Sequence, residues 1–363
     1  MRPEKLKHGG TSGTTGSPIT VLWDRRVEVA NHACNWRARR WAKFEFGTRY
    51  ASLLGRTIVP IRQARPPFWR WNTPWRQLLL SSFHLLEANL PLYLEAMTRH
   101  RVRFLEAYPS TAFVLARSLV ERGRTFPLDG VVVSSETLLA VQRETIQQAF
   151  ACPVFDIYSQ AERVMFAGEC DRHQGLHLQP EFGVLELVDE RGAPVPDGAT
   201  GRMVATGLQN YAMPLIRYDV GDVGAVLPGA CACGRTLPRM AAVTTKAEDI
   251  VVTPEGRFIS SSTLTHPFKP MTRIEKSQIV QERPDRVTVR IVRRPGYTDD
   301  DTRRLIAALG ERLGPTVGIE VEFPEDIPRS ANGKFRWVIS KVPLRFAGAE
   351  RGNLYGEGES SRE

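Results

Sequence analysis

Thr11-Ser12-Gly13-Thr14-Thr15-Gly16-Ser17-Pro18 packs glycines and hydroxyl-bearing residues into one short turn. Gly13 and Gly16 allow positive φ and close backbone approach, so the freed N–H groups and the hydroxyls around them can face a single polyanion. A polar surface loop is the ordinary reading of such a stretch, and taken alone the segment leaves both open. It is not the Gly-x-x-x-x-Gly-Lys-Ser/Thr loop of P-loop NTPases, because no lysine follows Gly16.

Outward from this loop the chain alternates strands and helices. Asp24 is a candidate N-cap, and Val27, Ala30, Cys34, Ala38 and Trp41 recur at helical spacing. Residues 56–76, with Pro60, Pro66, Pro67 and Pro74, read as an irregular tryptophan-rich excursion. Strands then follow near residues 78–82, 103–108, 131–134 and 154–158, with helices near 90–97, 111–121 and 138–150 between them. This order predicts parallel βαβ units, whose ligands sit off the carboxyl ends of the strands. Ser134-Ser135-Glu136 and Tyr158-Ser159-Gln160-Ala161-Glu162 both fall at that edge. From about residue 184 the pattern changes to strands and turns. Beyond residue 246 it reads as a compact α+β unit with a hairpin near 250–260 and a helix near 300–313. The residues after 348 have the composition of a disordered tail.

At 363 residues with 42% hydrophobic and 25% charged, the chain can bury a large core and divide into two domains. No run of 18 apolar residues exists and the first eight residues lack the apolar stretch of a signal peptide. A cytoplasmic protein without membrane partners is therefore expected, and its five cysteines are read as metal ligands before disulfides. Net charge is +9, and residues 25–76 alone carry 12 Lys/Arg against Glu28 and Glu45, with five tryptophans interleaved. A solvated basic face, or an entrance that attracts polyanions, is the ordinary account of this segment. A nucleic-acid surface is the rival account and is not the expectation.

Further motifs give the chain a family likeness. Tyr158-Ser159-Gln160-Ala161-Glu162-Arg163, then Pro214-Leu215-Ile216-Arg217-Tyr218-Asp219-Val220-Gly221-Asp222, then Cys231-Ala232-Cys233-Gly234-Arg235, then Asn332-Gly333-Lys334 follow the glycine loop in order. In these the chain resembles adenylate-forming enzymes of the acyl-CoA synthetase superfamily, in the branch of phenylacetate–CoA ligase and the CapK-like proteins. The resemblance implies an α/β fold: a large N-terminal domain of mixed sheets and helices over residues 1–245, which bind ATP and acid, and a small mobile α+β lid over 246–347. The N-terminal segment that relatives carry before the loop is expected to be missing.

The implied activity is ATP-dependent formation of an acyl-adenylate from a carboxylic acid, followed by transfer to CoA. Another thiol or an amine, as in a CapK-like protein of polysaccharide biosynthesis, is the alternative acceptor, and a non-catalytic nucleotide binder is the rival. Residues Thr11, Ser12, Gly13, Thr14, Thr15 and Gly16 would hold phosphates, and Glu162 would hold Mg²⁺. Tyr158, Ser135 and Glu136 would line the adenine pocket. Asp222 would bind the ribose hydroxyls, while Arg217 and Lys246 would reach ribose or phosphate. Lys334 would bridge the carboxylate and ATP, and His84 would lie near the acyl pocket. The sequence departs from the family at Ala161, where relatives carry Thr or Ser, and at Lys246, where an Arg is usual. A homodimer is left open.

Cys170-Asp171-Arg172-His173 and Cys231-Ala232-Cys233 form a second constellation, with His177 as a substitute for His173. Three thiolates and one imidazole complete tetrahedral zinc with no open position, so such a site would be structural. Unlinked buried thiols are the other reading.

Overall fold

The computed structural model describes residues 6–10, 20–189, 191–243, 250–259, 261–268, 270–328 and 336–342. Residues 11–16, Lys246, Lys334 and the tail from residue 348 lie outside the described residues.

The large sheet is built on five parallel strands in the order Gln77–Leu80, Tyr50–Leu53, Phe104–Ala107, Gly130–Ser134, Val154–Ser159. Successive side chains alternate between its faces. Ala51, Leu53, Leu78, Leu80, Leu105, Ala107, Val131 and Val133 point one way and pack on the helices Leu90–Arg99, Pro109–Val120 and Ala140–Phe150. Phe104, Val132, Phe155 and Ile157 point the other way, against the helix Arg25–Trp41. That helix begins as its sequence predicts: Asp24 Oδ1 accepts from the N–H of Val27 at 3.0 Å, and Val27, Cys34, Ala38 and Trp41 are buried along one stripe.

Two short strands escape the sequence reading. Tyr50–Leu53 lies inside the sheet, between Gln77–Leu80 and Phe104–Ala107, and Trp69–Asn72 forms its edge inside the stretch read as irregular. Both are only four residues long, and their pairing partners create them rather than their own propensity.

Beyond Val154–Ser159 the sheet continues with antiparallel strands through Phe166–Glu169, Leu176–Leu178, Arg239–Met240, Tyr218–Leu227, Thr200–Gly207 and Gly183–Val188. The smaller unit is a four-stranded sheet ordered Gly318–Glu322, Arg286–Arg293, Ile274–Arg283, Val338–Ser340, covered by the helix Asp299–Leu313. Its core holds Ile279, Val289, Ile291, Leu305, Leu309 and Trp337. Residues 250–252 take part in both cores: Val251 packs into the smaller, while Ile250 and Val252 pack into the larger. The architecture is thus α/β, with a large unit of sheet and helices followed by a small α+β unit. No helix among the described residues is long and apolar enough to cross a membrane.

Candidate functional site

Lys7–Gly10 and Thr20–Trp23 pair antiparallel, so they are the flanks of the glycine-rich segment. The strand that leaves that segment is fixed beside Glu162. Trp23 Nε1 donates to the carbonyl of Ala161 at 3.1 Å, and the guanidinium of Arg163 lies 4.2 Å from the centroid of the Trp23 ring. Asn210 ties the same strand through the carbonyl of Leu22 at 2.8 Å.

Glu162 does not pair with its neighbour Arg163, whose charge faces Glu28 instead at 3.8 Å. Its Oε1 accepts from the phenol of Tyr218 at 2.8 Å. Asp222, four residues after Tyr218, accepts through Oδ2 from the phenol of Tyr158 at 2.7 Å. The two segments therefore exchange bonds reciprocally, each giving one phenol and one carboxylate four residues apart. Both carboxylates are buried, Glu162 at 9% and Asp222 at 6% exposure. Burial, reinforced by the facing carboxylate, holds both phenols above the ordinary tyrosine range, so they remain donors.

The backbone is shaped to make this meeting possible. Arg163 and Arg217, neither of them glycine, have φ of 56° and 49° and stand next to Glu162 and Tyr218. Ser135, beside Glu136, has φ of 72°. Left-handed backbone at such side chains costs energy and gathers at functional sites. Between the pairs Arg202–Val223 and Val204–Asp219, the strand Tyr218–Leu227 advances four positions against two on its partner. This bulge, with Gly221 at φ of 74°, re-aims Asp222. Gly183 permits a close crossing: a Cβ there would lie 1.7 Å from the carbonyl oxygen of Val164.

Glu136 accepts from the N–H of Ser110 at 3.0 Å, in the first turn of the helix Pro109–Val120. Arg217 is half-exposed and pairs with Glu186 at 3.2 Å. His84 occupies a separate environment. It is buried, stacks on Phe68 with centroids 4.6 Å apart, and its Nδ1 lies 2.8 Å from Ser81 Oγ. Burial pushes its pKa down, and the charge of Arg257 adds to this against the carbonyls of Gln63 and Ile61. Tyr218 was not singled out from sequence, although the repeated four-residue spacing of tyrosine and carboxylate was visible there.

The structure places a different histidine with the three cysteines. Cys170, Cys231, Cys233 and His177, not His173, bring their donor atoms within 4.8 Å of one another. His173 turns away at φ of 50° and sets its Nδ1 3.2 Å from Glu169. Cys170 and Cys231 sulfurs lie 3.8 Å apart, and Cys233 Sγ lies 3.4 Å from His177 Nε2. Tetrahedral zinc, with Zn–S near 2.3 Å and Zn–N near 2.0 Å, sets its donor atoms about 3.5–3.8 Å apart, so these residues fit that ion. Burial pushes the thiol of Cys170 up to about 12. Burial also opposes ionisation of Cys233, yet the N–H and guanidinium of Arg235 bring it down to about 7.

A cleft of about 370 Å³ opens between the helix Arg25–Trp41 and the sheet. Inside it Arg39 pairs with Glu106, which also accepts from Ser52 at 3.1 Å, and Gln77 donates to Ser52 at 2.7 Å.

Comparison with known proteins accords with this geometry. The family model of the CapK C-terminal domain matches residues 251–341. Protein CapK of Staphylococcus aureus is 24% identical over 356 residues, covering 94% of this chain and 76% of that protein. The phenylacetate–coenzyme A ligase of Thermus thermophilus is 25% identical over 385 residues, covering 93% of this chain and 81% of the ligase. Among solved structures, 2-hydroxyisobutyryl-CoA ligase in complex with 2-HIB-AMP and CoA superposes with a TM-score of 0.53 at 18% identity, over 94% of this chain and 75% of that one, and shows the shared fold. Over more than nine-tenths of its length the chain is similar to both proteins, its residues 251–341 match the CapK C-terminal domain, and it shares the fold of this solved adenylate-forming ligase.

Proposed function

We propose that the protein activates a small carboxylic acid with ATP, forming an acyl-adenylate and pyrophosphate, and passes the acyl group to CoA. The observation that carries this reading is the meeting of Tyr158, Glu162, Tyr218 and Asp222, with the flank of the glycine-rich segment beside them.

Asp222, whose Oδ2 accepts from Tyr158, would be the carboxylate that accepts from the ribose diol. Tyr158, held by that bond, presents its ring for stacking on adenine, next to Ser135 and Glu136. Glu162 likewise keeps acceptor positions for a hard cation; Mg²⁺ held there would neutralise phosphate charge as pyrophosphate leaves. Residues 11–16 would supply N–H groups and hydroxyls to the phosphates, Arg217 and Lys246 would supply positive charge to ribose or phosphate, and Lys334 would bridge acid and ATP. His84, neutral at physiological pH, would line the acyl pocket. We read residues 1–245 as the ATP- and acid-binding domain and 246–347 as the lid that delivers Lys334. Cys170, His177, Cys231 and Cys233 would hold structural zinc, which supplies no chemistry to the reaction.

Pyrophosphate release should require both ATP and an acid, and a panel of carboxylic acids with and without CoA tests this. Lys334→Ala should cut adenylation by about 10² or more and spare thioester formation from supplied acyl-adenylate. Release from ATP alone, or equal loss in both half-reactions, refutes the reading. An acceptor other than CoA, another thiol or an amine, is the second reading, and adenylate formation without CoA-dependent product in the same panel would favour it.

A further inference from the structure

The two tyrosine–carboxylate bonds stand apart from other polar contacts of the sheet. They join segments sixty residues apart whose strands are not neighbours: Phe166–Glu169, Leu176–Leu178 and Arg239–Met240 lie between Val154–Ser159 and Tyr218–Leu227 in the sheet. Glu162 stands in a turn past the end of its strand, where a buried carboxylate has several rotamers open to it unless something fixes one. What fixes it is the phenol of Tyr218, 2.8 Å away and carried on a strand whose own start is set by the left-handed Arg217. A phenol is well suited to this task. It donates one bond from a rigid ring, stays protonated, and leaves the carboxylate its full charge, whereas a Lys or Arg partner would cancel the charge a cation needs.

We infer that Tyr218 is a positioning residue that aims Glu162 at the metal of the bound nucleotide, and so sets how much Mg²⁺ strengthens ATP binding. The inference rests on the nucleotide reading above and adds to it a residue and a specific role. It separates two functions within the reciprocal pair: the bond from Tyr158 to Asp222 concerns the nucleoside, and the bond from Tyr218 to Glu162 concerns the metal.

Calorimetric titration of the whole protein with AMP, with ATP plus EDTA, and with ATP plus Mg²⁺ tests this without turnover. In the native protein Mg²⁺ should tighten ATP binding. A hydrogen bond to a charged group is worth about a factor of ten, so Tyr218→Phe should lose about ten-fold of that metal-dependent gain while its AMP affinity stays within about two-fold. Glu162→Gln should lose the gain too, and the double variant should lose no more than Glu162→Gln alone, since the phenol acts only through the carboxylate. Substituting Mn²⁺ and reading its electron spin resonance gives bound metal directly. A full metal-dependent gain in Tyr218→Phe overturns the inference, as does an equal loss for AMP, which would mark a general structural role. If the native protein binds neither AMP nor ATP, the nucleotide reading itself has failed and the inference falls with it.

Discussion

Asp156→Asn should stabilise the protein, and should do so far more at pH 8 than at pH 5. Asp156 lies on the strand Val154–Ser159 two residues before Tyr158, so both side chains face the same side of the sheet. It is 8% exposed, and its pKa rises from 3.8 to about 7 because burial penalises the charge and the carboxylate of Glu169 repels it, against Arg143 and the N–H of Ile157. The unfolded chain releases this proton near 3.8 and the folded protein near 7. Between those values the folded state binds more protons than the unfolded one, so stability falls as pH rises through the window. The slope is about 1.4 kcal/mol per pH unit, giving a total on the order of 4 kcal/mol above pH 7 and less than half of that at pH 5. Asparagine has no charge to lose and should remove this dependence. With an m-value of about 3 kcal/mol/M, the variant's urea midpoint should exceed the native one by about 1 M at pH 8 and by less than half of that at pH 5. Equal zinc content in both proteins keeps the metal out of the difference. A difference between variant and native that does not change with pH would refute the assignment of a neutral Asp156.

Three further outcomes are expected. Cys231→Ser should reduce bound zinc from one per chain to near none by elemental analysis and lower the melting temperature, whereas His173→Ala should leave metal content unchanged. Glu106→Gln, which strands the guanidinium of Arg39 in the cleft, should cost about 3 kcal/mol in chemical denaturation, and Glu106→Gln with Arg39→Met should recover much of it. His84→Gln should alter the preference among carboxylic acids while leaving AMP affinity within about two-fold, because the buried ring touches Phe68 and Ser81 rather than the nucleotide residues.

The sequence carried the parallel core plainly, because its strands are apolar runs separated by amphipathic helices, and the helix after Asp24 shows both cap and stripe. It carried the antiparallel half poorly. Asp219-Val220-Gly221-Asp222 has the composition of a turn, yet it lies within the ten-residue strand Tyr218–Leu227, because Thr200–Gly207 supplies a ladder and the bulge absorbs the glycine. The histidine of the cysteine cluster was hard to identify for a similar reason. His173 follows Cys170 at knuckle spacing, but the chain reverses there and Leu176–Leu178 returns antiparallel to Phe166–Glu169, pairing His177 with Gly168. Which of two nearby histidines faces a cysteine is decided by register, and register is set by a partner strand that local sequence does not specify.

That strand also connects the cysteine cluster to the proposed substrate contacts. Tyr218–Leu227 begins with the residues that meet Glu162 and Tyr158, and it ends shortly before Cys231 and Cys233, which meet Cys170 and His177. Cys170 in turn directly follows Phe166–Glu169, the hydrogen-bonded neighbour of Val154–Ser159. The strand bearing Asp222 is therefore held at both ends to the hairpin bearing Tyr158 and Glu162, by phenol–carboxylate bonds at one end and by the thiol–imidazole cluster at the other. A shift of about 1 Å in either segment would break bonds of 2.7 and 2.8 Å, because hydrogen bonds weaken steeply beyond about 3.2 Å.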